Sequence, residues 1–325
     1  MDQELDLAKK QSMPDYRTEF VYKDGAVSYL WGFLLPMLLA AVCTFVMALA
    51  NCKDKTVLSV VSAIITQGGF IAYYFLFCKK NKIKSFSAGK ITHKINWLFW
   101  LLCALVSVCC VFGFSGFVSV IDYVISLTGY VSSAQMLPLD SVGWLFANIA
   151  LLAVLPAIGE ELLFRGIIIN SLKKKYSPHI AIILSAVLFS LFHANISQTI
   201  YPLLMGIVLG YAAHMSGCLL CSMLVHFLNN TLVIVTSYFS VGAGYMVDAK
   251  FVGVSVALFV VTCAVLVGIW FLANHIKKKN SSTGDGEVVV TKKSISSVSL
   301  YYIVMVVILV VMWIIDLVIG IGGIK

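Results

Sequence analysis

Nine apolar blocks, at about 27–50, 56–78, 96–127, 142–172, 179–197, 200–216, 217–240, 251–275 and 298–323, leave this chain almost no way to fold in water. Roughly 20 predominantly apolar residues cross the hydrocarbon of a bilayer. A segment there must satisfy its own backbone hydrogen bonds, so the long blocks read as transmembrane helices. With 60% hydrophobic and 12% charged residues, the composition excludes an ordinary soluble domain. The expected fold is all-α, a polytopic transmembrane helical bundle of eight or nine spans. The one-span difference comes from 179–197 and 200–216, which are short and closely joined. They read as two tilted helices or as one helix and a re-entrant piece.

Lysines divide the connections into two groups. Lys79, Lys80, Lys82, Lys84, Lys90 and Lys94 follow the second block, Lys173 to Lys175 the fourth, and Lys277 to Lys279 with Lys292 and Lys293 the eighth. The stretches 128–141 and 198–199 carry no Lys or Arg, and 51–55 and 241–250 carry only Lys53, Lys55 and Lys250. Cytoplasmic loops collect basic residues, so nine spans place the N-terminus in the cytoplasm, with the plasma membrane as the expected location. The net charge of +8 follows from this topology, and no basic domain or aromatic-basic interleaving points to nucleic acid.

Residues 1–26 mix acids and bases without signal-peptide order and read as a cytoplasmic tail. The single membrane domain is 27–276. The polar, Ser-, Gly- and Lys-rich stretch 277–297 reads as a flexible cytoplasmic loop before a C-terminal transmembrane helix at 298–325. Asp316, near the outer end of that helix, reads as interfacial. The nine cysteines, Cys218 and Cys221 of a lone C-x-x-C included, lie mostly in apolar blocks without regular spacing and read as reduced packing residues.

Against this background, Glu160, Glu161 and Arg165 need a reason to lie inside block 142–172. Each ionised side chain near a helix centre costs roughly 2.5–3.5 kcal/mol on an insertion scale, so the three are expected to face a protein interior. Residues four apart lie about 40° apart around a helix, which pairs Glu161 with Arg165 and leaves Glu160 to point elsewhere. Two further blocks carry polar residues at helical spacing, Phe189 to His193 and His226 to Asn230. At 1.5 Å per residue, counted from Lys173, His179 and Gly217 respectively, Glu160 lies roughly 20 Å deep, His193 roughly 21 Å and His226 roughly 14 Å. Three helices therefore bring polar groups to one level, defining a polar catalytic cavity at membrane depth. A carboxylate and an imidazole there can share the deprotonation of water, while the remaining groups stabilise an oxyanion. His214 reads as a peripheral hydrogen-bonding histidine.

Taken in order, Glu-Glu-x-x-x-Arg at 160–165, Phe-x-x-x-His at 189–193 and His-x-x-x-Asn at 226–230 resemble the CPBP intramembrane proteases. That family includes CAAX prenyl endopeptidases and bacterial Abi proteins linked to bacteriocin processing and self-immunity. The small-residue run Gly206, Gly210, Ser216, Gly217 also resembles the family's segment between its histidines, and the resembling core covers 142–235. The resemblance implies hydrolysis of a peptide bond in a membrane-associated substrate, either prenylated CAAX-type or leader-type. It implies that Glu160 and His193 activate water, that His226 and Asn230 stabilise the oxyanion, and that Glu161 and Arg165 organise the site. The family has been described both as metalloproteases and as metal-independent glutamate proteases. The favoured reading requires no cofactor; zinc on Glu160, His193 and His226 stays open, because one carboxylate and two imidazoles leave a position for water.

The alternatives are a non-catalytic membrane immunity or scaffold protein and an ion-coupled transporter. Intramembrane acids and histidines also build ion pathways, but paired interrupted helices in two halves and an inverted repeat are missing. The expected partners are the bilayer and a membrane-associated peptide or protein, with no nucleic acid; the oligomeric state is open.

Overall fold

The computed structural model describes residues 16–91, 95–132, 137–240, 247–280 and 299–322. Among them the chain is helical, apart from one isolated bridge between Arg17 and Ile83. Seven helices are long and apolar enough to span a bilayer. They are α1 (Tyr22–Leu49), α2 (Lys55–Lys80), α3 (Trp97–Ser126), α4 (Val142–Leu172), α7 (Leu219–Phe239), α8 (Ala249–Asn280) and α9 (Ser299–Gly322). Between α4 and α7 lie the shorter α5 (Pro178–Phe192) and α6 (Ile200–Ser216). The nine apolar blocks have thus become seven long helices and one short helical hairpin. The expected tail before residue 16 and most of the expected loop at 277–297 fall outside the described residues.

Local chemistry sets the helix ends. Asp54 accepts from the amides of Thr56 and Val57, Asn96 from Leu98 and Ser141 from Trp144, each meeting an amide that the first turn leaves open. Ser177 caps α5, with Pro178 at the first helical position. Gly217, at φ +68, closes α6 in the left-handed conformation that glycine adopts without strain. The first helix begins at Tyr22 rather than at 27, because its polar first turn is capped. Asp24 accepts from the Val21 amide at 2.9 Å and from Arg17 at 3.0 Å.

The two short blocks form the α5–α6 helical hairpin. At 15 and 17 residues the helices are about 23 and 26 Å long, short of the roughly 30 Å hydrocarbon core. Gly206 is what lets them touch: a Cβ there would lie 2.9 Å from the Ala186 Cα. Gly206→Ala is therefore expected to force the pair apart and destabilise the protein by about 1–3 kcal/mol, the usual cost of overpacking. The measurement is the unfolding midpoint in detergent; an unchanged midpoint would show that the hairpin can relax.

The centre of the bundle is α4. Every residue from Leu162 to Ile169 is buried, and all but Arg165 are apolar or glycine, as a helix at the centre of a bundle requires. Around it Phe33, Phe70, Phe164, Phe189 and Phe192 interlock, with neighbouring ring centroids 4.6–6.0 Å apart. Tyr302, Met305 and Leu309 of α9 join the same core. Together with Asp316 and Gly320 they form one buried stripe at three-, four- and seven-residue spacing, while Ile303, Val307, Val310 and Val318 face outward. Asp316 is thus buried rather than interfacial, because this stripe turns it toward the protein.

The lysine-bearing connections at 79–91 and 173–175 gather at one end of the bundle with the segment before α1. Arg17 exchanges backbone hydrogen bonds with Lys82 and Lys84, Lys174 pairs with Glu19, and the Leu219 amide donates to the Lys90 carbonyl at 3.0 Å. None of the nine cysteines forms a disulfide.

Candidate active site

Two π-helical stretches, Ile149–Val154 and Leu162–Ile169, flank the short α-helical turn Leu155–Glu161 within α4. Such wide turns re-aim side chains and recur at functional sites. Pro156 contributes to the irregularity, since it has no amide hydrogen for the Leu152 carbonyl four residues earlier. Asn230 Nδ2, from α7, donates to that carbonyl at 2.9 Å. The amide expected near a reacting carbonyl is therefore holding the backbone below the two glutamates.

Glu161, Arg165 and His226 form a buried chain of charge-assisted bonds. Arg165 Nη1 donates to Glu161 Oε1 at 2.8 Å, and both side chains are fully excluded from solvent. Arg165 Nη2 donates to the Gly206 carbonyl at 3.1 Å, and its guanidinium lies 4.6 Å from the Phe189 ring centre. Close packing at Gly206 thus serves the site directly, because it brings an α6 carbonyl to the arginine. The same Glu161 oxygen meets His226 Nδ1 at 2.9 Å. A carboxylate held by arginine accepts, so the imidazole donates from Nδ1 and presents Nε2 toward Glu160 Oε2, 3.9 Å away.

Glu160 projects to a different neighbour. Gln67 Nε2 of α2 donates to Glu160 Oε1 at 2.8 Å. Gly159 makes this approach possible, for a Cβ there would stand 3.0 Å from the Gln67 carbonyl oxygen. Sequence reasoning missed Gln67, although a lone amide in the middle of an apolar block was the available signal.

His193 sits at the C-terminal cap of α5, where the helix stops short inside the bundle. Its Nδ1 lies 2.9 Å from the Phe189 carbonyl, which can only accept. A neutral His193 is therefore protonated on Nδ1 and carries its lone pair on Nε2. The Phe189 ring contacts both imidazoles, its centroid 5.1 Å from that of His193 and 6.1 Å from that of His226. The structure thus assembles Glu160, Glu161, Arg165, His193 and His226 from three helices, with Asn230 supporting α4. Asn229, passed over by the sequence reading, is buried between Tyr201, whose hydroxyl donates to Oδ1 at 2.8 Å, and Asn230 Oδ1.

The polar groups pack as a closed cluster: Glu160 and His226 are each 5% exposed. Among the described residues, Gln67 Oε1, Glu161 Oε2 and Arg165 Nε have no hydrogen-bond partner, which leaves capacity for a polar ligand. A separate cavity of about 420 Å³ lies between α3, α6, α7 and α8 and is apolar, walled by Phe99, Phe114, Leu204, Val225, Leu266 and Trp270 among others. Among the described residues, no group of three His, Cys, Asp or Glu side chains is arranged to hold a metal ion. Glu160, His193 and His226 do not form such a set in this arrangement.

A bundle of apolar helices with a buried acid–histidine–arginine centre defines an integral membrane protein with a polar site in its interior. Residues 142–232, covering α4 to most of α7, match the family model described as Type II CAAX prenyl endopeptidase Rce1-like. The match agrees with the resemblance to the CPBP intramembrane proteases. No curated protein and no solved structure matches the chain.

Proposed function

We propose that the protein is an intramembrane endopeptidase that hydrolyses a peptide bond of a membrane-associated, lipidated or leader-type substrate. The observation that carries this reading is the convergence of Glu160, His193 and His226 from α4, the end of α5 and α7, each held by a defined partner. Glu160 takes a proton from water, assisted by the bare Nε2 of His193, as the water oxygen adds to the substrate carbonyl carbon. His226, protonated on both nitrogens, donates from Nε2 to the oxyanion while Glu161 holds its Nδ1. With that proton the buried cluster counts two acids against Arg165 and His226, so it is neutral as a low-dielectric site requires. The proton held by Glu160 then passes to the amide nitrogen, the C–N bond breaks, and an amine and a carboxylic acid leave. Asn230 is assigned to supporting α4 at Leu152 instead of the oxyanion contact expected from sequence.

The apolar cavity supports a substrate carrying a hydrocarbon chain, since its wall residue Val225 directly precedes His226. The gathering of the lysine-bearing connections at 79–91 and 173–175 at one end supports a cytoplasmic N-terminus.

Purified protein in detergent, assayed on quenched prenylated and leader peptides with and without chelator, tests the reading. His193→Ala and His226→Ala are expected to abolish cleavage, and chelator is expected to leave the wild type active. Chelator inhibition reversed by zinc would replace this mechanism with a metal-dependent one. Wild-type turnover by a folded His193→Ala variant would remove His193 from the chemistry.

A further inference from the structure

The turn that follows His193 is gripped by the far end of the chain. After His193 the backbone passes through Ala194 at φ +47, a left-handed conformation unfavourable for a residue with a Cβ, and α6 starts only at Ile200. Something must hold this turn, and much of the hold comes from α9. Asp316 Oδ2 accepts from the Ile196 amide at 3.2 Å and Asp316 Oδ1 from Asn195 Nδ2 at 3.2 Å. Three residues earlier on the same stripe, Trp313 Nε1 donates to Thr199 Oγ1 at 2.9 Å. Tyr130 braces the carboxylate from the other side, donating to Asp316 Oδ2 at 2.6 Å. Gly320 lets Tyr130 lie there, because a Cβ at 320 would fall 2.3 Å from its ring.

These bonds are made where they count. Asp316 and Asn195 are both buried, 8% and 6% exposed, so the carboxylate is engaged away from water and its bonds to the turn are charge-assisted. The turn itself has further internal ties: Asn195 Oδ1 accepts from the Gln198 amide, and Ser190 Oγ donates to the Thr199 carbonyl at 2.6 Å. Those ties shape the turn, whereas Asp316 and Trp313, with a longer contact from Asn195 Nδ2 to Ser132 Oγ at 3.5 Å, tie it to the rest of the bundle. His193 is the last residue before it.

We propose that Asp316 and Trp313 are positioning residues for His193: the C-terminal helix clamps the 194–199 turn and thereby sets the imidazole against Glu160 and His226. The clamp lies outside the Rce1-like segment and touches none of its acid–histidine groups. Its consequence for cleavage rests on the protease reading; its consequence for the His193 ring does not.

The test uses full-length protein with ¹⁵N-labelled histidine in detergent, the His193 signals being assigned by their loss in His193→Gln. Asp316→Ala and Trp313→Phe are expected to shift or broaden the His193 ring nitrogens while the His226 signals stay in place. In the peptide assay they are expected to lower kcat about tenfold to a hundredfold, with KM changed less than about threefold, as misplacement of a catalytic group does. Asp316→Asn, which retains one acceptor oxygen, is expected to recover part of the loss. If Asp316→Ala does not fold, Trp313→Phe decides. Unmoved His193 resonances in a folded variant would overturn the clamp, whether or not the wild type cleaves any peptide. Shifted resonances in a protein without peptidase activity would uphold the clamp and refute the protease reading alone.

Discussion

Replacing Glu160 by Gln is expected to lower kcat for peptide cleavage by on the order of 10²–10⁴-fold, the usual contribution of a positioned general base. The substitution keeps the size of the side chain and an oxygen that Gln67 Nε2 can still meet, so little packing is disturbed. It removes one buried negative charge, which an imidazole can offset by releasing a proton. The folded variant should therefore elute and melt like the wild type while failing to activate water. The same variant separates the alternatives, since a transporter would lose flux and a scaffold protein would lose nothing. Full cleavage by well-folded Glu160→Gln would exclude Glu160 as the base.

Arg165→Met is expected to have the largest effect on stability. Its guanidinium compensates Glu161 with both side chains fully buried, and breaking such a pair by removing one partner costs about 3–5 kcal/mol. The Gly206 carbonyl loses its donor at the same time. Because the penalty is mainly that of an uncompensated carboxylate, Glu161→Gln added to Arg165→Met should recover part of it. Unfolding midpoints of the two single variants and the double variant measure this coupling. Additive losses would show that the two side chains act independently.

Much of the site was legible because buried charges are costly. Glu160, Glu161 and Arg165 stood out inside an apolar block, and the four-residue spacing paired Glu161 with Arg165, as the structure has it. Contacts between distant segments were not legible. Gln67 lies 93 residues from Glu160 and looked like any isolated amide. Asn230 was read through its spacing from His226, which says nothing of the Leu152 carbonyl it holds on another helix. Asp316 was placed by its distance from the helix end, yet its burial depends on which face of α9 meets the bundle.

The sequence alone determined that this chain is a helical membrane protein, and roughly where each helix lies. Hydrocarbon thickness and the need to satisfy every backbone hydrogen bond permit few other outcomes for blocks of this length. It also identified the ionisable groups that needed burial within protein. Only the tertiary structure decided their partners: which glutamate meets which histidine, which ring nitrogen stays bare, and that the last helix braces the turn after His193. Those choices depend on helix rotation and on ångström-scale approaches at Gly159 and Gly206, where hydrogen bonds succeed or fail over distances that linear spacing does not specify.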